Sequence, residues 1–227
     1  ELEYLYSLGA RHFKFVDDSF IEAPRDEEWC RKFADEINRR KLNIQIRISM
    51  RADRIEDGII SELHRAGCNS IACGIENFSA AALKRMGKGA CLEQNIKALD
   101  ILHKYNVYVQ AGYILFDHNT TFEELKENLD MMKKYSWTIC KGIFSEMYAA
   151  KGTPYTQLLK SKNIISYDNP YLENYFYEIE NPKAHQVYLT LKEWHVSHMK
   201  LYDMIIDPIS KPKALSEIGL SKFYSLY

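Results

Sequence analysis

Asp17-Asp18 sets two carboxylates side by side directly after the apolar run His12-Phe13-Lys14-Phe15-Val16, and Glu76 closes Ser70-Ile71-Ala72-Cys73-Gly74-Ile75 in the same way. Carboxylates so placed can accept from a ligand ammonium or from a pair of ribose hydroxyls. In an extended segment Asp17 and Asp18 face opposite ways, so only one of them reaches a shared mouth. A helix cap or a turn accounts for either aspartate equally well, and capping is the bland alternative for Glu76. Gly74 just before Glu76 leaves the backbone open to close approach by a ligand. Arg47 and Arg51 flank Ile48-Ser49-Met50, and alternation puts Gln45, Arg47 and Ser49 on the side opposite Ile44, Ile46 and Ile48. A guanidinium there can clamp a carboxylate with its planar fork or bridge to Asp53. Gly112, followed by Tyr113-Ile114-Leu115-Phe116, offers a bare backbone edge with large apolar neighbours, a surface suited to a flat base such as adenine. An ordinary buried strand with one glycine is the competing reading.

Other reactive types are scattered. His118 follows Asp117 at the end of a run and is a candidate catalytic group, whereas His12, His64 and His103 read as structural. His195 and His198 lie three apart and, without a third ligand, read as surface residues. The five cysteines, Cys30, Cys68, Cys73, Cys91 and Cys140, are odd in number and irregular in spacing. They form no C-x-x-C pair, which argues against a disulfide framework or a local zinc site. Thiols behaving as small buried hydrophobes are the expectation.

The elements that must carry these groups alternate. Strands are expected near 12–16, 43–48, 70–75, 107–116 and 138–145. Between them fall helical patterns: Trp29, Phe33 and Ile37; Ile59, Ile60 and Leu63; Ile96, Leu99 and Leu102; and a helix opened by the capping box Thr121-x-x-Glu124. Asp57 or Glu56 is expected to cap the second of these helices, and Ser79 to cap a short one over 80–86. Strand–helix alternation implies parallel β/α units, whose functional groups collect past the carboxyl ends of the strands. We therefore expect an α/β core over residues 1–155. A mainly helical appendage follows over 156–227, with one long helix near 183–206 and the last twenty residues as loop.

Composition narrows the class. The 227 residues are 46% hydrophobic and 27% charged with net charge −1, so no global basic field points to nucleic acid. No run of about 18 apolar residues marks a membrane span. The opening Glu1-Leu2-Glu3-Tyr4-Leu5 is unlike a secretory signal, and cytoplasm is the expected location.

One family carries these elements in this order. Phe15-Val16-Asp17-Asp18-Ser19-Phe20, Arg51-Ala52-Asp53, Ala66-Gly67-Cys68-Asn69-Ser70-Ile71-Ala72-Cys73-Gly74-Ile75-Glu76-Asn77, Lys88, Ile114-Leu115-Phe116-Asp117-His118-Asn119-Thr120-Thr121-x-x-Glu124 and Lys151-Gly152-Thr153-Pro154 resemble the radical S-adenosylmethionine (SAM) superfamily. The nearest branch often carries a preceding cobalamin-binding domain. The resemblance implies a partial (β/α)6 TIM-like barrel with a [4Fe-4S] cluster and SAM at its mouth. There, one electron from a reductant such as flavodoxin or ferredoxin cleaves SAM to a 5′-deoxyadenosyl radical. That radical serves C–H functionalisation, with cobalamin-dependent methylation or rearrangement as variants. Carried over residue by residue, Asp17 or Asp18 would lie near the methionyl amine, Arg51 near its carboxylate and Glu76 at the ribose. Gly112, Tyr113, Ile114 and Phe116 would flank adenine.

The family's C-x-x-x-C-x-x-C cluster loop is missing from these residues. The resemblance therefore implies a barrel without its first β/α unit and without cluster ligands, inactive on its own. Two further classes stay open. A conventional β/α hydrolase or lyase would use Asp18, Glu76 and His118, and a degenerate barrel would bind a nucleotide-like ligand or a partner without catalysis.

Overall fold

A computed structural model describes residues 1–87, 89–167 and 173–206 of the chain. The expected loop at the extreme C-terminus and Lys88 lie outside the described residues.

The order is α1 (Leu2–Ser7), β1 (His12–Lys14), α2 (Glu27–Arg39), β2 (Gln45–Arg51), α3 (Asp57–Arg65), β3 (Cys68–Glu76), α4 (Ala80–Met86), α5 (Leu92–Lys104), β4 (Tyr108–Tyr113), α6 (Phe122–Lys134) and β5 (Ile139–Lys141). After these come β6 (Ala149–Ala150), α7 (Pro154–Ser161), β7 (Ile165–Tyr167), β8 (Asn174–Tyr177) and α8 (Pro182–Ile206). The first five strands form one sheet in the order β1-β2-β3-β4-β5, every neighbouring pair parallel. This is the α/β architecture expected from the alternation of patterns. None of the described helices is long and apolar enough to cross a membrane.

Local chemistry explains the helices. Asp26 caps α2 by accepting from Trp29 N at 2.8 Å, ahead of Glu27 and Glu28 in the first turn, where carboxylates complement the helix dipole. Thr121 and Glu124 make the expected capping box of α6. Ser79 and Glu56 precede their helices, but neither side chain bonds to the backbone there, and Asp57 instead pairs with Lys104 at 2.6 Å. One sheet face is apolar: Phe13, Ile46, Ile48, Met50, Ile71, Cys73, Ile75, Val109 and Ala111 join Cys30, Ala34, Ile60, Leu63, Leu99 and Leu102 of the helices in one core. Each such Ile or Leu contributes about 1.5–3 kcal/mol by leaving water.

Register orders the opposite face. Residues paired across parallel strands point to the same side, so this face reads as three rows rising toward the carboxyl ends. Lys14, Arg47, Ser70 and Tyr108 form the lowest. Ser49, Ala72, Gln110 and Ile139 lie above, and Arg51, Gly74, Gly112 and Lys141 form the top.

Three expectations need correction. The strand expected over 107–116 ends at Tyr113, because the β3–β4 register shifts between Gly74 and Glu76; Phe116 then makes only a single bridge to Glu146. The one expected over 138–145 stops at Lys141, where Gly142 at φ +81° turns the chain. The appendage carries, besides α7 and α8, a three-stranded antiparallel sheet in the order β6-β8-β7, and β6 lies before residue 155. These strands are two to four residues long, too short for an alternating pattern to register in the sequence.

Candidate functional site

The carboxyl ends of β2 to β5 enclose a cavity of about 330 Å3, within the range of small-molecule pockets. Its walls include Arg51, Gly74, Gly112 and Lys141 of the top row, Ser49 and Gln110 of the row beneath, and Asp18 and Glu76. A larger groove of about 910 Å3 lies at the amino ends of β4 and β5, beside His103 and Trp137. No carboxylate lines that groove, and it is at the wrong end of the strands for a β/α site, so the smaller cavity is the candidate.

Glu76 is the focus of the cavity. Its φ of +65° is unusual for a residue with a side chain and costs of order 1–3 kcal/mol. The result is a carboxylate turned back over the sheet: a β-carbon placed on Gly74 would lie 3.1 Å from Glu76 Oε1. Three buried asparagines hold this turn. Asn95 Nδ2 donates to the carbonyls of Ile75 and Asn77 at 2.8 and 3.0 Å. Asn128 Nδ2 donates to Asn77 Oδ1 at 2.8 Å, and Asn77 Nδ2 donates to the Ile114 carbonyl at 3.2 Å. Ile114 N closes the ring by donating to the Glu76 carbonyl at 2.7 Å. Asn77 belonged to the motif noticed in the sequence. Asn95 and Asn128 escaped notice, because a polar residue within an amphipathic helix ordinarily faces water; their signal was position on the buried stripe of α5 and α6.

The other predicted site residues separate. Asp17 pairs with Arg25 at 2.9 Å, while Asp18 lines the cavity. Arg51 makes a two-pronged bond to Asp53 at 2.9 and 2.8 Å, which holds the Asp53 carboxyl below its ordinary range. Gly112 and Tyr113 line the cavity, but the Tyr113 ring is buried against Phe78. Ile114 is half-buried beyond the cavity lining, and Phe116 is fully buried with its ring 5.1 Å from that of Tyr188. Phe116 therefore belongs to the packing of α8 on the core and not to the cavity wall.

His118 is buried and does not line the cavity that Asp18 and Glu76 share. Its Nδ1 lies 3.3 Å from Tyr155 Oη and its Nε2 lies 3.1 Å from Lys162 Nζ. Burial lowers its pKa, with Lys162 acting in the same sense and Asp117 and Glu180 opposing. Beside it, Arg85 binds Asp117 at 2.9 Å and both oxygens of Glu124 at 2.7 and 2.9 Å. This ion triad joins α4, the β4 end and α6. Nothing in the sequence patterns singled out Arg85, which lies 32 residues from Asp117. His195, expected on the surface, stacks on Phe144 at 3.8 Å.

The thiols do not form a cluster site. Cys30, Cys68, Cys73 and Cys140 are buried and Cys91 is exposed. Burial pushes Cys30 up to about 11 and Cys68 up to about 12, away from the thiolate form an iron cluster needs. Among the described residues no three His, Cys, Asp or Glu side chains converge to hold a metal. The residues present thus fit the nucleoside end of SAM, with an acceptor, a bare backbone edge and a cavity, and do not fit an iron–sulfur cluster.

Comparison with known proteins bears on the fold and the family. Residues 1–132 match the model of the radical SAM superfamily. The 4′-phospho-dehydrooxetanocin synthase of Priestia megaterium is 31% identical over 139 residues, 54% of this chain and 19% of the relative. An uncharacterized methyltransferase of Pyrococcus horikoshii is 24% identical over 129 residues, 57% of this chain and 28% of the relative. The chain thus spans about 19% to 28% of the length of these relatives. In fold it is similar to the cobalamin-dependent SAM radical enzyme OxsB with aqua-cobalamin and SAM bound (TM-score 0.76, 20% identity, 87% of this chain and 36% of that one). It also resembles the radical SAM methyltransferase TsrM of Kitasatospora setae (TM-score 0.61, 12% identity, 75% of this chain and 34% of that one). With more than half of its length matched by the family model and the strand-end cavity in place, the chain belongs to the radical SAM superfamily of enzymes.

Proposed function

We propose that this chain is the SAM-binding β/α core of a radical SAM enzyme whose cluster is ligated by residues outside these 227. The observation that carries the reading is Glu76, held at φ +65° so that its carboxylate overhangs Gly74 at the top of the sheet. Each other candidate has a role beside it. Glu76 accepts from the ribose hydroxyls, and the exposed backbone at Gly74 and Gly112 lets the nucleoside lie close. Asp18, the aspartate on the cavity, accepts from the methionyl ammonium; Asp17 stays with Arg25. Arg51 faces the methionyl carboxylate while anchored by Asp53. The backbone of Tyr113 borders adenine. Held by Glu76, Asp18 and Arg51 beside a cluster ligated elsewhere, SAM would supply radical chemistry for hydrogen abstraction.

Similarity to OxsB and TsrM, one described with aqua-cobalamin and the other as a methyltransferase, supports cobalamin-dependent chemistry in the whole protein. A flavodoxin or ferredoxin as reductant, a cytoplasmic location and a barrel core followed by an appendage that takes in β6 complete the proposal. The dispersed thiols favour one rival, a barrel that binds the nucleoside without catalysis. Purification of the full-length protein without oxygen, reconstitution with iron and sulfide, and assay for 5′-deoxyadenosine under reductant separates the two. Formation of deoxyadenosine is expected. SAM binding with no cluster and no cleavage would leave the rival standing.

A further inference from the structure

Arg47 has no part in the cavity described above, yet it is only 5% exposed, on the inner face of the central part of the sheet. Buried cations are ordinarily matched by a carboxylate, because the cost of desolvation is otherwise uncompensated. Arg47 instead bonds to two neutral oxygens, Ser70 Oγ at 3.4 Å and Gln110 Oε1 at 2.5 Å, and among the described residues no carboxylate pairs with it. These bonds use two of the five donors on a guanidinium. Lys14 is its register partner on β1. One row higher, Gln110 lines the cavity floor, and Lys141 lies on the top row about 13 Å up the sheet from Arg47's row.

We infer that the inner face beneath the cavity is an anion site, and that the substrate carries a phosphate or carboxylate that reaches Arg47 past Gln110. The inference rests on the cavity above being the SAM site, because it places the substrate's anionic group two rows below the nucleoside. Three features support it together. The cation is buried and lacks an acidic partner, a second cation flanks it in register, and its amide partner forms the cavity floor. A guanidinium anchored by Ser70 and Gln110 keeps further donors, and such a fork pairs with two oxygens of a carboxylate or a phosphate. Gln110 then acts as a gate group: its oxygen occupies the fork when the anion is absent and yields to it when present.

Isothermal titration of the full-length protein with inorganic phosphate, and separately with acetate, tests this directly. Both wild type and Arg47→Gln are measured, each also titrated with S-adenosylhomocysteine. We expect phosphate or acetate to bind wild type, at least tenfold weaker binding in Arg47→Gln, and S-adenosylhomocysteine affinity within threefold of wild type in both. The stronger of the two anions identifies the substrate group. If S-adenosylhomocysteine displaces the anion, the site serves the methionyl carboxylate and the substrate assignment falls. Anion affinity unchanged in folded Arg47→Gln, or no anion binding by wild type, overturns the inference. Loss of S-adenosylhomocysteine binding by wild type would instead sink the SAM reading. Should circular dichroism show Arg47→Gln unfolded, the exposed Lys14→Gln replaces it; a loss of about threefold is expected, and unchanged binding counts against the site.

Discussion

Glu76 Oε1 would lie 3.1 Å from a β-carbon on Gly74, two residues earlier on the same strand. A side chain at i ordinarily points the same way as one at i+2 and stands parallel to it. The left-handed backbone at Glu76 breaks that habit and folds the carboxylate over the bare position. Gly74→Ala is therefore expected to press on this carboxylate, and Glu76→Gln to remove its charge while keeping its shape. If Glu76 accepts from the ribose, Glu76→Gln weakens S-adenosylhomocysteine binding about 10–100-fold, the worth of a hydrogen bond to a charged group. Titration calorimetry on the full-length protein measures it; affinity within twofold of wild type would remove Glu76 from the site.

Asn95 donates to two carbonyls of the turn that carries Glu76. Asn95→Leu removes this donor from the Asn77 carbonyl inside the core, while the Ile75 carbonyl keeps the Asn77 N–H at 2.8 Å, and we expect a loss of about 1–3 kcal/mol in urea unfolding. The same variant should weaken S-adenosylhomocysteine binding, since the left-handed turn loses its anchor. A stability loss with ligand affinity unchanged would show that the turn holds itself.

The triad of Arg85, Asp117 and Glu124 has two acids exposed by only 1% and 8%. Removing the cation leaves two buried like charges side by side. Arg85→Met should cost about 3 kcal/mol, the lower end for a broken buried pair because Arg85 itself is 23% exposed. Denaturant unfolding of variant and wild type checks this, and a change below about 1 kcal/mol would contradict it.

His118 supplies a pH test with a definite sign. Its folded pKa lies below the ordinary 6.5, mainly from burial. The unfolded chain therefore binds more protons near and below that value, so the stability His118 contributes is lost as pH falls through about 6.5. Protonation would also set a second positive charge 3.1 Å from Lys162 Nζ. His118→Gln should flatten the fall in unfolding free energy between pH 7 and pH 5. An equally steep fall in the variant would assign the acid sensitivity elsewhere.

Cys91 is the exposed member of five cysteines. Iodoacetamide at neutral pH should label Cys91 in minutes and leave Cys30, Cys68, Cys73 and Cys140 unmodified until the protein unfolds, as read by peptide mass spectrometry. Rapid labelling of Cys68 or Cys73 would mean that the core of β3 opens easily.

The sequence by itself was enough for the class of fold. Apolar runs alternating with amphipathic stretches are a local signal, because period two and period 3.6 are properties of neighbouring residues. Strand-end carboxylates such as Asp18 and Glu76 lie in sequence directly after those runs. Tertiary structure alone decided which groups meet. That Asp18 rather than Asp17 lines the cavity follows from the salt bridge Asp17 makes with Arg25. Phe116 left the expected binding surface because α8 brings Tyr188 against it. Asn95 and Asn128 serve Glu76, and Gln110 caps Arg47 across 63 positions of chain. Such pairings depend on register between strands and on the packing of helices far apart in sequence, and no local pattern records them.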